Sequence, residues 1–390
     1  MYKEKLNEIL KLIEENHIDM YFNITKEELN DYINKIFDEN NINNDYDFYY
    51  YTNVIIKKLF DIYDSHTKLI WNDADSNLPI RLKYIDNKLY IIRTDNNNID
   101  LLYGQVLKIN DVEINKLIEE IKNMTAYSTE GYLEIQIENI LYNGVKLRSL
   151  PSIDINSNEF KFEILKNNEI TIRTLTKQIN KLIDLNKMKK NYSYEIINDT
   201  IYIVYNACKE EYENQMINFV NNIKEKSTEL NIDKFIVDIR GNQGGNSEII
   251  NPLIDFLKDK EVVTLVDKYV FSSGRWAIFY LKNISSKFIG TKIGTSLNCF
   301  GNSPTKKYDN FILPISNSYF YVDTTYKIEN NKCAYTKEEF NKLKKNKKLF
   351  IPQIFEPDYY IKNSIEDYIN NNDRVLEYAL DYIKNNSKRR

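Results

Sequence analysis

Residues 234–246 read KFIVDIRGNQGGN, a short apolar run that changes abruptly into a glycine-rich segment. A run of Phe, Ile and Val is typical of a strand that is buried on both faces of a parallel sheet. The three glycines permit positive φ angles and close backbone approach, and a segment with helical apolar spacing follows them. The stretch therefore predicts a strand, a tight turn and a helix whose first amides face the turn.

The same alternation of strand and helix recurs on both sides of this stretch. Strand-like runs occur at IYIVY (201–205), VVTLV (262–266) and KFIG (287–290), and segments with helical spacing separate them. Seven of the ten glycines lie between Gly241 and Gly301, so close backbone approach is concentrated in this region. The pattern predicts an α/β core with a mostly parallel sheet over residues 196–390, ending in a helix after Asn372-Asp373.

Two other regions precede this core. Residues 1–75 predict three helices: Leu6, Ile9, Leu10 and Ile13 share one face of the first, and Thr25 with Glu28 forms a capping-box pattern before the second. Residues 76–195 contain short alternating runs that predict a β-rich middle region, with a hairpin turning at Asn167-Asn168.

Composition excludes several classes of protein. The 390 residues are 42% hydrophobic and 28% charged, which is typical of a globular chain with two or three domains. A net charge of −4 argues against a nucleic-acid partner. No run of eighteen apolar residues predicts a transmembrane segment, and the amphipathic start lacks the apolar centre of a signal peptide. We therefore expect a cytoplasmic protein, with export by another route left open.

Cysteine and histidine are scarce. The three cysteines, Cys208, Cys299 and Cys333, lack CxxC spacing, which argues against a disulfide framework or a zinc site and favours packing roles. The two histidines, His17 and His66, are the only imidazoles available as a base.

Two junctions of strand and helix carry candidate chemistry. The glycine-rich loop has neither the Gly-Lys-Ser/Thr ending of a phosphate loop nor a GxGxxG fingerprint, so it is either an oxyanion hole or a plain tight turn. The segment FSSGRW places Ser272 and Ser273 where the next strand meets its helix. There a serine is either a nucleophile or a helix N-cap. Parallel strands would bring both junctions to one edge of the sheet.

A serine nucleophile needs a base to accept its proton. His17 follows acidic residues at a predicted helix end and reads as a surface or capping residue. His66 lies in Asp64-Ser65-His66-Thr67 at a helix exit, where polar neighbours can fix its tautomer and orientation. His66 is therefore the better candidate, and a lysine remains possible.

Four ordered motifs carry a resemblance to a known family. DSHT (64–67), FIVDIRGNQGG (235–245), FSSGRW (271–276) and the segment that begins FEPDYY (355–360) occur in the order found in C-terminal-processing (tail-specific), tricorn-type serine peptidases. The resemblance implies a crotonase/ClpP-like α/β core. It further implies Ser272 as nucleophile, His66 as base with Ser65 helping to orient it, and an oxyanion hole from the Ser273 N–H and the backbone of Gly244 or Gly245.

The sequence also departs from that family in three places. Arg275 stands where the family usually has Glu. The branch with a Ser-Lys dyad has its lysine in a Gly-Lys-Gly turn, whereas here the segment is GTKIG (290–294), which leaves Lys292 as a reserve base. Glu356 lies in the late region where the family's acid is expected, but at an unusual offset from the following Pro-Asp pair.

The sequence thus predicts a serine-type peptidase that needs no metal or organic cofactor and acts on a peptide or protein substrate. The segment YGQVLKIND (103–111) resembles a PDZ module, which implies binding of an extended peptide by strand addition. Because His66 and Ser272 are far apart in sequence, we expect the site to form where the N-terminal helices pack on the core. Two alternatives stay open: a peptide-binding relative that has lost hydrolysis, and an acyl-transfer enzyme on a crotonase-like core. The oligomeric state is not predicted.

Overall fold

The computed structural model describes residues 1–72, 76–179, 181–182 and 190–386. It is a mixed α/β fold, and the chain divides into two compact units. The first unit comprises Met1–Leu185, Asn298–Tyr321 and Lys332–Pro352, and the second comprises Asn186–Leu297, Val322–Asn331 and Gln353–Arg390. Each unit is thus assembled from three chain segments, and the division into regions 1–75, 76–195 and 196–390 stays a prediction.

Twelve α-helices occur among the described residues. In chain order they are α1 (Tyr2–Asn16), α2 (Lys26–Glu39), α3 (Asp45–Phe60), α4 (Ile114–Met124), α5 (Glu130–Leu141), α6 (Gly144–Arg148), α7 (Met216–Leu230), α8 (Asn251–Leu257), α9 (Gly274–Lys282), α10 (Lys337–Lys344), α11 (Ile365–Ile369) and α12 (Arg374–Asn386).

Eighteen strands form four sheets in the same part of the chain. They are β1 (Ile70–Trp71), β2 (Ile80–Ile85), β3 (Lys88–Thr94), β4 (Gln105–Ile109), β5 (Val112–Glu113), β6 (Phe160–Lys166), β7 (Glu169–Leu175), β8 (Tyr192–Ile197), β9 (Thr200–Tyr205), β10 (Lys234–Asp238), β11 (Glu261–Val266), β12 (Ser285–Gly290), β13 (Cys299–Gly301), β14 (Thr305–Tyr308), β15 (Phe311–Pro314), β16 (Ser318–Tyr321), β17 (Lys332–Ala334) and β18 (Tyr359–Tyr360).

The first unit confirms the local predictions for the N-terminal and middle regions. The apolar face of α1 is buried, and the Thr25 side chain and Glu28 form the capping box that starts α2. The middle residues form an antiparallel sheet in the order β2-β3-β4-β6-β7. The β6–β7 hairpin turns at Asn167 and Asn168, both at positive φ as a two-residue turn requires.

The second unit contains the predicted α/β core. Its sheet has the order β18-β12-β11-β10-β9-β8, in which only the β8–β9 pairing is antiparallel. Alternate residues of β10 face opposite sides: Val237 packs in the core formed with α7, α8 and α9, whereas Ile236 packs against α12. Burial on both faces explains why these strands are apolar runs rather than alternating ones.

Two further expectations can be compared with the described residues. Cys208 and Cys299 are buried, as a packing role requires, but Cys333 is exposed, so the prediction of a packing role is wrong for that residue. Its strand, β17, has only three residues, and Ala334 takes the buried position beside it. No helix in the described ranges is long and apolar enough to cross a membrane.

Candidate functional site

The glycine-rich loop follows β10 and is organised by the side chain of Asn242. This side chain is buried; its Nδ2 donates to the Tyr205 carbonyl and its Oδ1 accepts from the Gly244 N–H, each at 2.9 Å. The Asn242 N–H donates to the Ile239 carbonyl at 3.1 Å and closes the turn. One amide side chain therefore sets the shape of a loop that glycines alone would leave variable.

The serine-containing turn between β11 and α9 lies directly against this loop. The Phe271 N–H donates to the Asn242 carbonyl at 3.0 Å. The Asp267 carboxylate accepts from the Gly241 N–H and the Tyr269 N–H, both at 3.0 Å. The prediction that the two junctions lie side by side at one edge of the sheet is therefore confirmed.

Ser272 has a backbone conformation that non-glycine residues adopt rarely. Its φ is +50°, in the left-handed region, and it lies one position before Ser273, the N-cap residue of α9. Gly244, at φ +103°, approaches so closely that a Cβ there would lie 2.7 Å from the Ser273 nitrogen and 3.1 Å from the Ser272 Cβ. The tight contact requires glycine at 244, and strained turns of this kind cluster at functional sites.

The amides beside Ser272 differ in what they bind. The Gly244 N–H is used by Asn242, whereas the N–H groups of Gly245 and Ser273 make no hydrogen bond to any described residue. Ser273 is the N-cap residue of α9, yet its hydroxyl makes no capping bond. The loop and helix start thus present backbone N–H groups next to a serine, as an oxyanion site needs.

The residues that depart from the family pattern are bonded to neighbouring residues: one to a backbone carbonyl, and the other two to each other. Arg275 is buried, and its Nη1 donates to the Leu297 carbonyl at 2.7 Å. Glu356 and Lys292 form an ion pair at 2.7 Å, with 66% and 52% of their side chains exposed. An exposed pair of this kind contributes little to stability.

His66 belongs to the first unit and follows α3 in a loop built on Asp64. The buried Asp64 carboxylate accepts from the N–H groups of His66 at 2.8 Å and Thr67 at 3.3 Å, and from the Thr67 hydroxyl at 2.6 Å. The Ser316 hydroxyl adds a bond of 3.0 Å. His66 keeps 10% of its side chain exposed, whereas both of its ring nitrogens are buried.

His17 also contacts Asp64; of its two sequence interpretations, the capping position is confirmed and the surface position is wrong. It occupies the C-cap position of α1 but is 1% exposed, and its Nε2 lies 3.2 Å from Asp64 Oδ2. Burial by itself would raise the pKa of Asp64. The hydrogen bond from His17, together with His66 and the Thr67 hydroxyl, outweighs burial and holds the pKa of Asp64 well below its usual range.

Ser65 takes part in the loop through its backbone. Its carbonyl accepts from the Tyr132 hydroxyl at 2.9 Å, which anchors the loop to α5. Its own hydroxyl makes no hydrogen bond within the described ranges. The role of Ser65 in orienting His66 stays a prediction.

Sequence reasoning gave Asn242 no role, and it counted Asp64 only among the polar neighbours that can orient His66. An Asn between glycines is a common turn-forming residue, and an Asp two positions before a loop histidine can accept local N–H bonds. The sequence therefore contained enough information to predict both roles. The partner Ser316 carried no such signal, because it lies 252 residues from Asp64.

The comparisons with known proteins give matches in structure only. No protein-family model matches the chain, and no curated protein sequence matches it. Mature CPAF superposes with a TM-score of 0.64 over 98% of both chains, at 8% sequence identity. This chain shares the fold of mature CPAF.

CPAF complexed with lactacystin gives a TM-score of 0.63 over 98% of this chain and 99% of that one, again at 8% identity. Photosystem II D1 C-terminal processing protease matches over 93% of both chains with a TM-score of 0.46 at 8% identity. At the level of the fold, the likeness to CPAF agrees with the resemblance that the four motifs indicated.

Proposed function

We propose that the protein is a serine-type peptidase with Ser272 as its nucleophile. The observation that carries the proposal is the turn at Ser272, where a serine at φ +50° precedes α9 with the glycine-rich loop against it. A hydroxyl presented in this way can attack a carbonyl carbon while nearby amides receive the oxyanion. The order of the motifs and the fold shared with mature CPAF support the proposal.

The proposed reaction runs in two halves. Ser272 Oγ bonds to the scissile carbonyl carbon as His66 accepts the Oγ proton. The N–H groups of Ser273 and Gly245 stabilise the oxyanion, since the Gly244 N–H is already bonded to Asn242. Breakdown of this intermediate cleaves the C–N bond, with the His66 proton passing to the leaving amine. Water then attacks the acyl-serine ester, and His66 takes its proton and returns one to Ser272.

We further propose that the second unit is a crotonase-like core and that the sheet β2-β3-β4-β6-β7 is a PDZ-like module. The described order of the first sheet and the parallel strands of the second support these assignments. A module of this type binds an extended peptide as an added strand, and such a peptide would be a substrate of the proposed peptidase.

Fluorophosphonate labelling tests the proposal directly. We expect the intact protein to be labelled at Ser272, as mapped by mass spectrometry, and Ser272→Ala to lose at least 99% of the labelling, because the probe needs an activated serine. Ser273→Ala is the matched control, since it changes the adjacent hydroxyl and keeps the Ser273 N–H. We expect it to retain labelling.

The second arm of this experiment tests the base. His66→Ala should abolish labelling, and Lys292→Ala should leave it intact. Labelling that survives His66→Ala but not Lys292→Ala would assign the base to Lys292. A folded protein that no fluorophosphonate labels would contradict the proposal and favour a peptide-binding protein without hydrolysis.

A further inference from the structure

The Asp64 carboxylate is the centre of a buried network that extends beyond its own loop. Its two oxygens accept from five donors: the N–H groups of His66 and Thr67, the Thr67 hydroxyl, His17 Nε2 and the Ser316 hydroxyl. Its Oδ1 also lies 3.9 Å from His66 Nδ1. This separation is too long for a hydrogen bond, but it is short enough for a charge to act on the imidazole ring.

We propose that Asp64 is the positioning carboxylate of His66 and that His17 holds Asp64 in place from the end of α1. The proposal rests on the proposed function, in which His66 is the base. Asp64 orients His66 through its backbone N–H and stabilises the imidazolium that forms when Ser272 loses its proton. It replaces Glu356 as the carboxylate of the site.

The hydrogen bonds of His17 define it as a donor to Asp64. The Asp19 N–H donates to His17 Nδ1 at 3.1 Å, so that nitrogen is the acceptor and Nε2 carries the proton that faces the carboxylate. The ring is held between Phe60 and Phe300, with centroid separations of 4.6 and 5.2 Å. A ring fixed on two sides by packing and at both nitrogens by hydrogen bonds keeps one orientation.

The surroundings of the two candidate carboxylates favour Asp64 over Glu356. Asp64 is fully buried, and the titratable groups that act on it are His17 and His66, while Thr67 and Ser316 contribute neutral donors. Its charge therefore acts in a low-dielectric setting. Glu356 is exposed and already paired with Lys292, so solvent and the lysine screen its charge.

Histidine NMR tests the proposal without requiring catalysis. With ¹³C label at histidine Cε1, the intact chain gives two signals, and any His17 variant leaves only that of His66. We expect Asp64→Asn to move the midpoint of the His66 titration to lower pH by about one pH unit, because the negative charge beside Nδ1 is gone. Glu356→Gln should leave the midpoint unchanged.

A matched pair of His17 variants tests the supporting role even if Asp64→Asn does not fold. His17→Gln keeps an N–H group at the position of Nε2, whereas His17→Asn keeps an acceptor for the Asp19 N–H but does not reach Asp64. We expect the Gln variant to retain a single sharp His66 signal and the wild-type rate of fluorophosphonate labelling. We expect the Asn variant to give a broadened signal and a rate about tenfold lower.

The outcomes separate this proposal from the proposed function. A protein that is not labelled, yet shows the His66 titration shift in Asp64→Asn, contradicts the peptidase and keeps the Asp64–His66 pairing. A titration shift in Glu356→Gln but not in Asp64→Asn overturns the assignment of the carboxylate. Equal signals and rates in the two His17 variants overturn the role of His17.

Discussion

At the scale of single residues, two of the three positive-φ glycines in the glycine-rich loop differ in their surroundings. Gly241 has φ +83° with nothing within 4 Å of an added Cβ, whereas a Cβ on Gly244 would lie 2.7 Å from the Ser273 nitrogen. We expect Gly241→Ala to cost about 1–2 kcal/mol of stability from backbone strain alone and to preserve labelling of Ser272.

Gly244→Ala should carry the same strain and also displace the Ser273 amide. Because small displacements of catalytic groups have large effects on rate, we expect fluorophosphonate labelling to fall about 10–100-fold. Thermal unfolding of both variants, measured beside the labelling rate, separates strain from displacement. Equal labelling rates in the two variants would mean that the close approach of Gly244 has no part in the reaction.

Lys146 on α6 is a half-buried cation whose charge disfavours the folded state. Burial, with a smaller effect of the charge on Lys68, lowers the pKa of Lys146 to about 8. The unfolded chain therefore binds more protons between about pH 8 and pH 10.5, and stability rises with pH across that window. We expect Lys146→Met to stabilise the protein by about 1–3 kcal/mol at pH 7, with the gain vanishing above about pH 10.5.

Urea unfolding at pH 7 and pH 10.5 measures the difference in stability between Lys146→Met and the wild type. Lys35, whose side chain is 64% exposed, provides the control: Lys35→Met should change stability by less than about 0.5 kcal/mol at both values. If Lys146→Met is less stable than wild type at pH 7, packing by the lysine stem outweighs the buried charge.

At the scale of elements, one arginine joins the end of β10 to the start of α12. Arg240 donates to Asp238 and to both oxygens of Asp373, at 2.8 and 2.7 Å. Asp373 Oδ1 also accepts from the Leu376 N–H at 3.2 Å, which caps α12. The helix that covers one face of the sheet is therefore fixed at its first turn by a half-buried ion pair.

Substitutions at Asp373 can separate the cap from the ion pair. Asp373→Ala removes both, and we expect a loss of about 1–3 kcal/mol in urea unfolding at pH 7. Asp373→Asn keeps an oxygen that can cap α12, so its loss of unfolding free energy should be about 1 kcal/mol smaller than that of Asp373→Ala. Burial alone would raise the pKa of Asp373, but Arg240 lowers it, so the advantage of wild type should shrink as pH falls below about 4. Variants as stable as wild type would show that Arg240 needs only Asp238.

The elements themselves were predictable because their signals are local. The alternation of strand and helix after residue 199, the capping box at Thr25 and the hairpin at Asn167-Asn168 all depend on neighbours within a few positions. The burial of His17 was not predictable, since its acidic flanking residues indicate a surface. Its ring is buried by Phe300, which lies hundreds of positions away in sequence. The same distinction applies to the candidate site. Its residues could be named from local motifs, whereas the contacts that hold them in place come from residues distant in sequence.

At the scale of the whole molecule, the first unit takes essential core residues from late in the chain. Phe311, Leu313 and Ile315 belong to the hydrophobic core that α1–α5 line, and β15 pairs with β1. The Trp71 ring contacts Phe311 with a centroid separation of 5.1 Å. A fragment ending at residue 185 lacks this strand and leaves apolar surface uncovered.

Trp71 reports on this dependence. It is the only tryptophan of fragment 1–185, and we expect its emission to be red-shifted there relative to a mixture with peptide 298–352, because the peptide restores the cover over the ring. Urea unfolding of the fragment should also be less cooperative than that of the intact chain. A fragment that unfolds cooperatively with a blue-shifted Trp71 would show that the core is complete without β15.

The hydrogen bond between Asp64 and Ser316 has a consequence for the nascent chain during translation. A ribosome that adds about 5–20 residues per second needs roughly 10–50 s to travel the 252 positions between them. During that interval Asp64 and His66 have left the ribosome, Ser272 follows, and the hydroxyl that completes the Asp64 network does not yet exist. On the proposed roles, a nascent chain carries its nucleophile before its base is fully held, and the Asp64 network is complete only after Ser316 has been synthesised.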